Sequence, residues 1–230
     1  MLPIILAAPH GGRAPAPGIA LRRGLGIPQF TTERDSDTAE LAELVGAKLE
    51  ALLGARPFLV VAHFERKFID VNRAESGAFE SASAKPYYDA YHRAIKEASS
   101  RVRQRWGSGL LLDIHGQGAE AETIFRGTNN GRSIALLRRR FGVTAVTGPK
   151  SILGHLAARG YRIEPTDDHA LSRFPSRQRF FSRKRASRLR ARVFHRQGGP
   201  GLRRNAQKTG ASLNASASEV KLSLPITSKV

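Results

Sequence analysis

Three short apolar runs set the architecture open to this chain. Residues 2–8 (LPIILAA), 58–64 (FLVVAHF) and 110–115 (LLLDIH) are too continuously apolar to alternate between a wet and a dry face. Strands buried on both faces read this way, and sheets covered on both faces are typically parallel. Helical patterns lie between the runs. Leu41, Leu44, Val45, Leu49, Leu52 and Leu53 share one helical face, behind Asp37-Thr38-Ala39-Glu40, which has the form of a capping box. Pro86 opens a longer pattern in which Tyr87, Tyr91, Ile95, Ala98, Val102 and Trp106 recur at steps of three and four, and Gly107 and Gly109 stop it. Further helices are expected at residues 129–141 and 150–159, with short strands at 143–146 and 161–163. The rhythm predicts an α/β fold with a mainly parallel sheet and helices on both faces. Sites in such folds gather at the carboxyl ends of the strands.

Charge divides the chain in two. The net charge is +19, which suggests a polyanionic partner, but residues 171–230 hold 15 Lys/Arg against one acid, Glu219. Residues 1–170 hold 23 basic and 18 acidic residues, an ordinary balance. The sequence thus reads as an α/β domain over residues 1–168. An Arg/Ser-rich basic tail follows over residues 169–230, irregular, and to be read as disordered or as out-of-frame translation. The tail holds Phe174, Phe180, Phe181 and Phe194, which could stack on bases, but no nucleic-acid motif. Nucleic acid is therefore not the expected partner. No apolar run approaches the roughly 20 residues of a membrane helix, and residues 2–8 suit a buried strand better than a signal peptide. The cytoplasm is the default expectation. With no cysteine in the chain, any metal must be held by His, Asp or Glu.

Two of the strands end in histidine beside glycine: Pro9-His10-Gly11-Gly12 and Asp113-Ile114-His115-Gly116. A glycine there lets the backbone turn away and leaves the imidazole at the rim of the sheet. Hydrolytic zinc sites take three protein ligands from His and carboxylates and leave one position for water. His10 and His115 would supply two. Glu33, Asp35 and Asp37 compete for the third; Asp37 has a role as helix cap, and Asp35 is preferred over Glu33 because its shorter side chain, just before the helix, can be held rigidly. Asp113 shares the strand face of His115 and could orient it from behind. Zinc is expected, although His/carboxylate sites accept other divalent metals. In Asp70-Val71-Asn72-Arg73 an amide stands beside a guanidinium, whose planar fork suits a substrate carboxylate. Tyr88 and His92, four apart on the long helix, could line the same cleft. Arg126-Gly127-Thr128-Asn129-Asn130-Gly131 reads as a turn, and His63, His155, His169 and His195 have no assigned role.

Taken in order, Pro9-His10-Gly11-Gly12, Arg34-Asp35 with Thr38 and Leu41, Arg66 with Asp70-Val71-Asn72-Arg73, Tyr88 with Tyr91-His92, and Asp113-Ile114-His115-Gly116 resemble the N-formylglutamate amidohydrolase family. The likeness covers residues 3 to about 165. It implies a fold related to zinc carboxypeptidases and aspartoacylases. It also implies a metal-dependent hydrolase that cleaves the amide bond of a small, carboxylate-bearing N-acyl amino acid such as N-formylglutamate. By the same likeness His10, His115 and a carboxylate at or near Asp35 hold the metal, and Asn72 and Arg73 hold the substrate carboxylate, with Arg66 as a secondary candidate. The family continues with a Gly-Gly strand segment and a Gln-x-Glu element whose glutamate is the general base and acid. Neither is present here, so no catalytic residue is assigned. The alternatives are an impaired pseudoenzyme of that family and a nucleic-acid or anion binder that uses the basic tail.

Overall fold

The computed structural model describes residues 1–118, 120, 122–129 and 131–165, and the backbone of residues 186–195. Six strands form one sheet in the order β2-β1-β3-β6-β4-β5. β1 (Ile4–Ala8) lies between β2 (Phe58–Val61) and β3 (Ser108–Gln117), parallel to both. β4 (Thr123–Gly127) pairs in parallel with β5 (Arg162–Glu164). β6 (Ala186–His195) joins the halves, antiparallel to β3 and parallel to β4. The α/β class and the mainly parallel pairing follow the sequence expectation.

β1 lies inside the sheet, one strand from its edge, and nothing in it needs water. Ile5 and Leu6 are fully buried, and alternate side chains serve opposite faces. On one face Ile5, Val60 and Leu111 pack with Tyr91, Ala94, Ala98 and Val102 of the long helix α3 (Lys85–Trp106). On the other, Ala8, Val61 and Ile114 meet Ala39 and Ala42 of α1 (Thr38–Leu53). α3 buries the stripe its spacing predicts, starts with Pro86 in its first turn, and ends at Gly107 in a positive-φ conformation. The short helix α2 (Glu75–Ala78) lies between β2 and α3.

α1 corrects the sequence reading. Its buried residues are Thr38, Ala39, Ala42 and Gly46, while Leu44, Leu52 and Leu53 are exposed. The face of the helix turned to the sheet carries only small side chains, and a Cβ added at Gly46 would already touch Leu6 and Pro57, at 3.9 and 3.8 Å. The capping box does not form either. Asp37 sits at the N-cap position in the left-handed region and makes no side-chain cap bond; its carboxylate lies 3.5 Å from Arg13. Ala42→Leu is therefore expected to cost about 1–3 kcal/mol by overpacking, and Leu52→Ser less than about 0.5 kcal/mol. Urea unfolding of the two variants measures both.

Beyond β3 the reading was less accurate. Residues 143–146, expected as a strand, lie mostly in α5 (Thr144–Thr147), which packs with α4 (Ala135–Phe141) and α6 (Ile152–Ala157) around Ile134, Val146 and Leu153. Residues 186–195, taken as part of an irregular tail, form β6. Arginines at 188, 190 and 192 alternate there with Leu189, Ala191 and Val193, the period of a strand, which the surrounding run of Arg and Ser obscured. Residues 169–185 and 196–230, with His169, Phe174, Phe180, Phe181 and Glu219, lie outside the described residues.

Candidate metal centre

The sheet brings both histidines together. In the β1–β3 register Ala7 faces Asp113, so His10 leaves β1 beside the segment that carries His115. Their rings stand 5.0 Å apart, tilted by 61°. Both residues are buried. Asp35 arrives from the long connection between β1 and α1, tied by its backbone N–H to the carbonyl of His10 at 3.0 Å. Its Oδ2 lies 3.3 Å from His10 Nδ1 and 3.0 Å from His115 Nδ1.

The three side chains could hold a metal ion, with one donor atom from each lying within 4.8 Å of the others. The donor set fits zinc. Two imidazoles and one carboxylate are its usual hydrolytic ligands, and donors bonded at about 2.0–2.1 Å stand roughly 3.3 Å apart at a tetrahedral angle. Of the three competing carboxylates, the structure brings Asp35 to the histidines. Glu33 is exposed, and Asp37 points to Arg13.

The far side of each imidazole meets a second carboxylate. His115 Nε2 lies 3.1 Å from Asp113 Oδ2, as the strand spacing predicts. His10 Nε2 lies 2.7 Å from Asp70 Oδ1. Carboxylates behind ligand histidines fix the ring orientation and raise its basicity. Burial alone would raise the Asp35 carboxyl, but hydrogen bonds from His10 and His115 outweigh it and hold the group well below the usual carboxylate range. Asp70 behaves in the same way, with His10 and Arg66 opposing its burial. Both therefore present charged oxygens.

Sequence reasoning passed over Asp70, which is fully buried at the centre of a charge cluster. Arg66 donates to its Oδ2 through Nε and Nη2, both at 2.9 Å. Arg73 stands at 3.5 Å and Arg22 at 3.9 Å, and the backbone N–H of Asn72 donates to Oδ1. Its place in Asp70-Val71-Asn72-Arg73, after a strand end, was the available signal. Arg22 was missed as well and gave no signal. It is a buried guanidinium that donates to the carbonyls of Thr31, Arg66 and Gly77 and packs on Phe30. Burial pulls its pKa down while Asp70 pushes it up.

The four residues assigned to substrate fare unequally. Asn72 is exposed, and its Nδ2 comes within 3.4 Å of His115 Nε2. Arg66 lines the floor of the site, 3.5 Å from Asp35 Oδ1. Arg73 donates to the carbonyls of Pro28 and Gln29, so it also serves to hold the long connection. His92 lies against Tyr88, with ring centroids 4.3 Å apart and planes tilted by 52°, and the Tyr88 hydroxyl donates to the carbonyl of Arg73. Desolvation pulls the His92 imidazole below its ordinary pKa.

Gly116 plays a different part from the one expected. β3 runs past it to Gln117, so it ends no strand. Its N–H donates to Asp35 Oδ2 at 3.1 Å, and a Cβ there would lie 3.1 Å from Asp35 Cβ and 3.2 Å from its Cα. Glycine is needed for the close approach of the ligand loop. Gly116→Ala is expected to displace Asp35 and weaken zinc binding about 10–100-fold, the range seen when groups that orient a ligand are lost. Competition with a chromogenic chelator would measure it; unchanged affinity would show that the loop can yield.

The fold and site together define an α/β protein with a buried His–Asp–His centre able to hold a metal ion. No family model, curated protein or solved structure matches the chain. Among the described residues no helix is long and apolar enough to cross a membrane.

Proposed function

We propose that this protein is a metal-dependent hydrolase that cleaves the amide bond of a small N-acyl amino acid, of the N-formylglutamate type, on a zinc-exopeptidase-like fold. The observation that carries the proposal is the convergence of His10, Asp35 and His115, each imidazole backed by its own carboxylate. A divalent metal, zinc by preference, would supply Lewis-acid polarisation of the acyl carbonyl and a water nucleophile at neutral pH. The chain's own residues do the rest. Asp70 and Asp113 keep the two imidazoles turned toward Asp35. Arg22, Arg66 and Arg73 balance Asp35, Asp70 and Asp113 around the site, so a bound divalent cation would leave it positive and favour an anionic substrate. The exposed Asn72 amide, with Arg66 and Arg73, forms the rim where the substrate carboxylate would bind, and His92 belongs to the same wall.

The sequence lacks the family's Gln-x-Glu element, and a missing positioned acid–base group typically costs about 10²–10⁴ in rate. Slow turnover is therefore expected. Purified protein should bind one equivalent of zinc and release formate from N-formylglutamate, and His115→Ala should lose both. Stoichiometric zinc without hydrolysis of formyl or longer acyl amino acids would make the chain a pseudoenzyme. Failure to bind zinc would refute the reading.

A further inference from the structure

The lobe beyond β4 carries a charge pattern that the metal centre does not use. Residues 127–163 contain seven Lys/Arg and no Asp or Glu. Three of these cations, Arg132, Arg138 and Arg139, line one open surface groove of about 520 Å³ together with Gly131, Ala135 and Val143. All three are exposed, and none forms an ion pair among the described residues. Arg140 follows on α4, and its guanidinium sits 5.3 Å from the ring centroid of Phe141, which is itself 61 % exposed.

The groove is remote from the metal centre by topology. His10 and His115 sit toward the carboxyl ends of β1 and β3. β4 runs opposite to β3, so the chain leaving β4 into Gly131 emerges toward the other end of the strands. A substrate at the metal centre would not reach it.

Three guanidiniums lining one groove, with no carboxylate partner among the described residues, favour an anion bound between them. Guanidinium forks match phosphate oxygens in bidentate fashion. An open groove with spaced guanidiniums, followed two residues beyond Arg139 on the same helix by the exposed Phe141 ring, suits a chain of phosphates that carries bases better than a single enclosed anion. We propose that Arg132, Arg138 and Arg139 form a binding groove for the phosphodiester backbone of single-stranded nucleic acid. Among the described residues none of those lining the groove comes from the basic segment after residue 169, and the proposal stands whether or not the metal centre is catalytic.

The test uses the full chain and a fluorescent single-stranded RNA of mixed sequence. Three proteins are compared: wild type, the groove variant Arg132→Glu/Arg138→Glu/Arg139→Glu, and a control with Arg203→Glu/Arg204→Glu/Lys208→Glu, which reverses as many charges in the tail. Circular dichroism and zinc content check that each is folded. At 0.15 M salt the groove variant should bind at least tenfold more weakly than the tail control. The slope of log affinity against log salt should fall by about 2 in magnitude, as expected for three lost phosphate contacts on a single strand. Equal losses in the two variants would overturn the proposal, since net charge alone would then explain binding. Inorganic polyphosphate competing at equal phosphate concentration as well as unlabelled RNA would overturn the assignment to nucleic acid. Should the triple variant misfold, Arg138→Gln and Arg139→Gln singly should each reduce the slope by about 0.7, and no change in either would likewise overturn it.

Discussion

Asp70→Ala should destabilise the fold by about 3–5 kcal/mol, the usual cost of removing one partner from a buried ionic group. The carboxylate holds three guanidiniums and one imidazole, and its loss leaves Arg22, Arg66 and Arg73 facing one another with little else to neutralise them. Arg22 is fully buried and cannot turn to water. Asp70→Asn keeps the shape and a hydrogen-bond acceptor for His10 but not the charge, so it should fall between the two. Because the folded protein holds this carboxyl well below its unfolded value, its stabilisation is fully present above about pH 4 and is lost as pH falls further. Denaturant unfolding at pH 7 and pH 3 would measure both effects. An Asp70→Ala protein as stable as wild type at pH 7 would show that the cluster is not under electrostatic strain.

The second large effect is on metal rather than fold. Asp35→Ala removes the one carboxylate of the candidate His10–Asp35–His115 group and also the acceptor of the Gly116 N–H, and it leaves the two imidazoles without the oxygen they converge on. Zinc affinity should drop at least a thousandfold, from a bound ion that survives gel filtration to one that does not. Asp35→Asn should bind zinc weakly, since the amide oxygen is a poorer donor than a carboxylate. Zinc per chain after desalting gives the answer. Retention of one equivalent in Asp35→Ala would mean that another carboxylate had taken its place.

Much of this site was legible in the sequence because its parts are strand ends. An apolar run that stops at His-Gly announces both a buried strand and a side chain at its rim, and Asp113 lies two residues from His115 on the same face. Asp35 was legible by elimination. Asp70 was not, because its importance comes from four partners 3 to 60 residues away rather than from spacing. The leucines of α1 misled for a related reason. Apolar periodicity shows which face is greasy, but the distance between helix and sheet decides which residues fit, and here it selected Thr38, Ala39, Ala42 and Gly46. β6 was hidden by composition: a strand whose every second residue is arginine does not look like the interior of a sheet.

The frame of the metal centre is a pair of neighbouring parallel strands, whose separation of about 4.8 Å is set by backbone hydrogen bonds. Side-chain substitution cannot widen it. The rim, by contrast, is supplied by the segment from Arg66 to Arg73 and by the connection it pins through Arg22 and Arg73. The rim therefore also carries part of the ion-holding set, Asp35 on the connection and Asp70 within the segment. Substituting the other rim residues while keeping β1, β3, Asp35 and Asp70 should change specificity on an unchanged ion-binding platform.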